Sequence, residues 1–302
     1  MAHGAVKHDY HLVNPSPWPV LTSLGLFIMA LGGVAYMKGL FGLPQGNLLT
    51  LVPGFLIIVW TLFGWWGECI KESRAGDHTP VVEMSLKYGM ILFIASEVMF
   101  FVAWFWSFFE MVIFHGHRAT GMDVALYPQL ADWSSWPPPD IALGGEEAGH
   151  GGGFHRVETF DPFGLPLINT LILLLSGTTV TWAHHAIAQG DYKGTKLGLL
   201  FTVLLGALFS AFQVLEYQHA HFTYDGSLYG SAFFMATGFH GAHVVIGTIF
   251  LFVCLMRMMV GNMTVKNHLG FEFAAWYWHF VDVVWLFLFA FVYIAPRFTL
   301  GG

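Results

Sequence analysis

Apolar residues occur in long blocks along this chain, and short polar strips separate the blocks. Seven blocks are long enough for a helix of roughly 20 residues, the length that crosses the hydrocarbon core of a membrane. They comprise residues 18–37, 48–66, 88–114, 165–188, 197–222, 229–256 and 270–295. Backbone groups in lipid must pair within the protein, and the blocks lack the short alternation of barrel strands. The pattern therefore predicts an all-α membrane protein with seven transmembrane helices.

Composition agrees with a membrane protein. Of the 302 residues, 56% are hydrophobic and only 10% are charged, whereas soluble domains average about a quarter charged residues. The first ten residues are polar and rich in histidine, which argues against a cleavable signal peptide. Two cysteines, Cys69 and Cys254, are too few for a disulfide framework. No nucleic-acid partner is expected.

The basic residues predict the orientation in the membrane. If the N-terminus is cytoplasmic, the inner segments carry eight lysines and arginines and the outer segments carry four. Positive residues favour the inner side. This bias predicts that the N-terminus is cytoplasmic and that the C-terminus lies on the outer side.

Two polar connections divide the chain into a tail with two helices (1–66), a cytoplasmic loop (67–87) and the remaining five helices (88–302). The last part contains a long outer loop, 115–164, with seven acidic and two basic residues. The simplest interpretation is a solvated loop. The alternative is that its negative charge influences the approach of a partner protein.

Sixteen histidines raise the possibility of a metal site. Only His240, His243 and His279 lie deep within predicted spans. Haem ligation in a helical bundle would need facing histidine pairs on two helices, and no Cys-x-x-Cys-His attachment site is present. We therefore interpret these residues as hydrogen-bonded imidazoles between helices and expect neither a metal nor a haem in this chain.

Acidic residues inside a membrane are costly and often mark function. Glu97 has only apolar neighbours one turn away on its own helix, so it must pair with another helix, bind a partner or stay protonated. Asp282 differs because His279 lies three residues before it on the same helical face. We interpret Asp282 as structural, and for Glu97 function and structure remain equally open. With His240 and His243, these residues form a predicted buried polar network.

The inner end of the second span combines Trp65 and Trp66 with Lys71 and Arg74. Paired indoles at the glycerol level and cations at the phosphate suit a lipid headgroup. The alternative is an ordinary aromatic anchor combined with the usual excess of positive charge on the inner side.

Several stretches resemble subunit III of aa3-type cytochrome c oxidases, and together they cover nearly the whole chain. They are residues 11–19, 88–93 with Ser96 and Glu97, 166–170, 181–185, 237–243 and 276–282. The resemblance implies two bundles, helices 1–2 and 3–7, with a lipid-filled cleft between them. It implies a non-redox core subunit that supports the catalytic subunit of a proton-pumping, O2-reducing oxidase, whose haems and coppers lie in subunits I and II. In such a complex the acidic outer loop could influence the approach of cytochrome c or of supercomplex partners. The loop is longer than in mitochondrial members of the family, which favours a bacterial inner (plasma) membrane with a periplasmic C-terminus; the mitochondrial inner membrane is the alternative.

The resemblance also implies that Glu97 is a buried carboxylate lining the cleft, and that Lys71 and Arg74 lie in or near the region that contacts lipid phosphates. His78 belongs to the same region, although Asp77 and Gly67 replace residues that are often histidine and basic in the family. Two alternatives remain open, a quinol oxidase subunit III and a stand-alone proton or solute transporter. The transporter is disfavoured because the prolines fall mainly in loops and at span ends.

Overall fold

Seven helices in the described part of the chain are long and apolar enough to cross a membrane, so the seven-span prediction is confirmed in this computed structural model. The structure describes residues 9–295 except 12, 40–43, 119–158, 223 and 225–227. Most of the predicted acidic outer loop lies outside the described residues. The helices are α1 Trp18–Lys38, α2 Val52–Ala75, α3 Pro80–Arg118, α4 Leu165–Ala188, α5 Tyr192–Gln218, α6 Leu228–Met259 and α7 Leu269–Leu288. A one-turn 3-10 helix, Leu48–Thr50, precedes α2, and a π-helical segment, Phe289–Ile294, continues α7.

The helices are longer than the apolar blocks at the C-terminal end of α2 and at the N-terminal end of α3. The predicted loop 67–87 is mostly helical, because α2 continues to Ala75 and α3 begins at Pro80. Gly76 ends α2 with a φ of 87°, and its N–H bonds back to carbonyls of the last turn. Hydropathy detects only the apolar part of a helix, so it predicts a loop where α2 and α3 continue as polar helix.

The fourth predicted span agrees with α4, whereas α5 begins five residues before the predicted position 197. Asp191 explains the earlier start. Its carboxylate accepts the backbone N–H groups of Lys193 and Gly194, which caps the helix.

The chain forms two compact units, residues 1–89 and 90–302. In the first unit, glycines allow α1 and α2 to approach closely. A Cβ at Gly54 would lie 2.4 Å from the backbone nitrogen of Met29, and a Cβ at Gly32 would lie 2.1 Å from the carbonyl oxygen of Thr50. Small residues permit such contacts between membrane helices. The lipid-filled cleft implied by the family resemblance stays a prediction.

In the second unit, α7 supplies the largest buried side chains. Trp278 and Trp285 are 0% and 1% exposed. Their indole N–H groups donate to Ser176 and Thr170 of α4, each at 2.9 Å. Buried tryptophan needs such a partner for its N–H group. These bonds fix α7 against α4.

Candidate functional site

Glu97 and His243 form a carboxyl–imidazole pair between α3 and α6. The distance between Glu97 Oε2 and His243 Nε2 is 3.0 Å, and the two side chains are 24% and 13% exposed. The sequence left three possibilities open for Glu97, and the structure shows the first of them, a partner on another helix. Its partner lies 146 residues away in the chain.

The contact of the second imidazole nitrogen of His243 shows how many hydrogens the pair contains. His243 Nδ1 lies 2.6 Å from the carbonyl oxygen of Phe239. A carbonyl only accepts, so Nδ1 carries a hydrogen and donates it. A 3.0 Å contact between Nε2 and Oε2 then requires one further hydrogen between them. The pair has no net charge whichever partner holds that hydrogen, and this lowers the cost of placing Glu97 in a membrane span.

Aromatic rings hold the His243 imidazole in place. Phe101 contacts it edge-on at 5.0 Å, and Tyr277 stacks on it at 6.3 Å between ring centroids. Tyr277 also stacks on Phe93 of α3 at 6.2 Å. Stacked and edge-on contacts of this kind restrict ring orientation. Contacts from α3 and from α7 therefore hold the imidazole of His243 in its orientation toward Glu97.

His279 and Asp282 form a second, separate group on α7. His279 Nδ1 lies 3.7 Å from Asp282 Oδ2, within ion-pair distance but longer than a hydrogen bond. The other imidazole nitrogen lies 3.1 Å from the Thr181 hydroxyl of α4. A Cβ at Gly177 would lie 2.4 Å from Asp282 Oδ2, so only glycine leaves room for this carboxyl group. The arrangement joins α7 to α4.

His240 belongs to neither pair. Its Nε2 lies 3.1 Å from the backbone carbonyl of Val281, and its ring packs against Phe209 and Trp285. The five residues of the predicted polar network therefore occur as three local groups in the structure: Glu97 with His243, His279 with Asp282, and His240 on the α7 backbone. The hydrogen bonds and ion pairs found in the described residues join no two of these groups.

The candidate lipid residues, apart from Glu97, lie together at and just after the C-terminal end of α2. Trp65 and Trp66 are 38% and 56% exposed, Lys71 and Arg74 are exposed, and His78 is half-buried. The neighbouring acids Glu68 and Glu72 contact the N-terminal segment rather than these cations. Ser16 donates to Glu68 at 3.2 Å, and His11 lies 3.6 Å from Glu72.

Glu216 is a buried carboxyl group that the sequence interpretation missed. It lies on α5, is 2% exposed, and accepts a hydrogen bond from Tyr293 at 2.6 Å. The available signal was an acidic residue inside the predicted span 197–222. Its partner on the π-helical segment could not be read from periodicity.

These features define a class of protein, a seven-span helical membrane protein with carboxyl and imidazole groups paired in its interior. The described residues contain no group of three or more His, Cys, Asp or Glu side chains that could hold a metal ion.

Comparison with known proteins gives the family. The chain belongs to the cytochrome c oxidase subunit III family, which it matches over residues 8–296. A protein named cytochrome c oxidase subunit 3 from Triticum aestivum is 48% identical over 288 residues, which are 95% of this chain and 96% of the relative. A protein named probable cytochrome c oxidase subunit 3 from Rickettsia bellii (strain RML369-C) is 47% identical over 297 residues, which are 97% of this chain and 98% of the relative.

The chain is therefore a membrane subunit of an oxidoreductase complex, cytochrome c oxidase, and it associates with other oxidase subunits. The family resemblance noted in the sequence is confirmed. This result favours the oxidase subunit over the stand-alone transporter.

Proposed function

We propose that this chain is a non-redox core subunit that supports the catalytic subunit and binds phospholipid at the inner end of α2. In this proposal the haems and coppers lie in subunits I and II, and the N-terminus is cytoplasmic. The excess of basic residues on the predicted inner side supports that orientation. The long outer loop favours a bacterial inner membrane, and the mitochondrial inner membrane is the alternative, because the relatives from Triticum aestivum and Rickettsia bellii are almost equally similar.

The observation that carries the lipid proposal is the division of charges on the last turns of α2. Glu68 and Glu72 are engaged by the N-terminal segment through Ser16 and His11. Within the described residues no carboxylate lies at ion-pair distance from Lys71 or Arg74. Two exposed cations beside exposed indoles match an anionic phosphate with its glycerol region.

The strength of the contact follows from the charge. A basic residue near a charged membrane surface contributes about 1 kcal/mol. Since a factor of ten in affinity corresponds to about 1.4 kcal/mol, loss of both cations should weaken phospholipid binding by roughly 30-fold.

The test is a phospholipid count on the purified oxidase complex. Lys71→Gln with Arg74→Gln should reduce the number of phospholipids retained per complex after detergent washing. The matched control is Lys193→Gln with Lys196→Gln, which removes two positive charges at the start of α5. Equal lipid content in both double variants would refute a site at the end of α2.

A further inference from the structure

Two buried polar side chains, Glu216 and Gln213, meet in the second unit near the end of α5, and a third, Asn169, lies on the neighbouring helix α4. Glu216 Oε1 accepts from Tyr293 at 2.6 Å and from Gln213 at 3.4 Å. Its other oxygen, Oε2, is buried and has no hydrogen-bond partner in the described part of the chain. The same holds for Gln213 Oε1 and for both polar atoms of the Asn169 side chain. Asn169 is 0% exposed and Gln213 is 4% exposed.

The register of α4 against α5 places Asn169 at the same level of the bundle as the other two residues. These helices are antiparallel, and the hydroxyl groups of Thr179 and Thr202 lie 2.8 Å apart. Ten residues before Thr179 on α4 is therefore level with ten residues after Thr202 on α5. Asn169 is accordingly level with position 212, next to Gln213. Four of the eight buried unpartnered atoms found in the described residues belong to this one level of the bundle.

Neighbouring polar groups already have partners. The Thr170 hydroxyl accepts from Trp285 and donates to a carbonyl of α4. The Tyr217 hydroxyl donates to Thr237, whose hydroxyl donates to a carbonyl of α6. None of these three hydroxyl groups has a hydrogen left to donate. Buried polar groups are nearly always paired with protein or ordered water, so this concentration of unpartnered atoms requires a ligand.

The chemistry of the unpartnered atoms identifies that ligand. Neither side chain bonded to Glu216 carries a positive charge, so an ionised carboxylate at 2% exposure would be poorly compensated. Glu216 as a neutral acid offers one O–H donor at Oε2. Asn169 adds a donor and an acceptor, and Gln213 adds an acceptor. Two donors and two acceptors match the two acceptor and two donor positions of water.

We propose that Glu216, Gln213 and Asn169 form an internal water-binding site, which holds one or two ordered waters against a neutral Glu216. Buried waters of this kind make about three hydrogen bonds each and are costly to remove. Tyr293, on the π-helical segment Phe289–Ile294, donates to the other carboxyl oxygen of Glu216, Oε1. Single-turn π segments inside helices frequently occur at functional sites. The site therefore connects α4, α5 and the end of α7 through water.

The direct test is a map of the intact oxidase complex at a resolution that shows ordered waters in the other subunits. We expect one or two water peaks within about 2.6–3.2 Å of Glu216 Oε2 and of a Gln213 or Asn169 amide atom. Protein partners for these atoms, with no water peak between them, would overturn the proposal.

Substitutions give an independent test of the neutral acid. The infrared carbonyl band of a protonated carboxylic acid should lose intensity in Glu216→Gln, and Gln218→Leu, at an exposed position of the same helix end, should leave it unchanged. Glu216→Gln keeps a donor for water and should keep the stability of the complex. Glu216→Leu should make local opening about 5- to 150-fold more frequent, the range for an unsatisfied buried polar group. Equal stability of the Gln and Leu variants would contradict a hydrated site.

Discussion

Replacement of Gly206 by alanine tests the packing at the centre of the second unit. A Cβ at this position of α5 would lie 2.6 Å from the hydroxyl of Thr248 on α6 and 2.7 Å from the indole carbon Cη2 of Trp278 on α7. Neither neighbour moves easily. Thr248 donates to the carbonyl of Val244, and the fully buried Trp278 donates to Ser176.

The magnitude follows from two opposing effects. Overpacking a close-packed core costs about 1–3 kcal/mol. Alanine in place of glycine gains about 1 kcal/mol of helix propensity. Gly241→Ala on α6 isolates the second effect, because a Cβ there meets nothing within 4 Å. The difference between the two variants should therefore be about 1–3 kcal/mol, or about 5- to 150-fold in the opening equilibrium.

The assay uses the only buried cysteine of the chain, Cys254, which is 1% exposed. In a Cys69→Ser background, the rate of thiol labelling of this subunit within the intact complex reports opening of the second unit. Gly206→Ala should label faster than Gly241→Ala by the factor given above. Trp278→Phe should reduce the difference, since the clash includes the indole ring. Equal labelling of the two alanine variants would refute the described junction of α5, α6 and α7.

Two further predictions concern Glu97 and the acidic loop. In Glu97→Gln the amide donates to His243 Nε2, so we expect assembly and O2 reduction to survive; loss of proton pumping with assembly and lipid content intact would show that Glu97 must ionise. Deletion of residues 142–153, outside the described residues, should change the association rate with basic cytochrome c at low salt, because physiological salt screens exposed charges within about 8–10 Å. An unaltered rate would indicate that the loop is only a solvated insertion.

Hydropathy predicted the seven spans because the membrane imposes one length on every apolar helix. The same measure could not detect the polar ends of α2 and α3, since Glu68, Lys71 and Arg74 continue a helix beyond lipid. Capping residues carry information about helix ends that hydropathy lacks: Gly76 marks the end of α2, and Asp191 marks the start of α5.

The candidate site was less accessible to sequence reasoning. Glu97 and His243 were each singled out, but their pairing depends on helix rotation and on packing between helices 146 residues apart. The low amphipathicity of membrane helices hides that rotation, because lipid-facing and core-facing residues are both apolar. Glu216 was missed for a related reason, since Tyr293 reaches it only through the π-helical segment after α7.

As a subunit of cytochrome c oxidase, this chain should purify with haem-bearing partners, and we propose that it has no redox centre of its own. Both statements can be measured by purification through a tag on this chain in mild detergent, with haem spectra and copper analysis before and after the subunits are dissociated. We expect haem and copper in the intact preparation and neither in the isolated chain. Stoichiometric haem or copper in the isolated chain, or an intact preparation with no haem-bearing partner, would contradict this expectation.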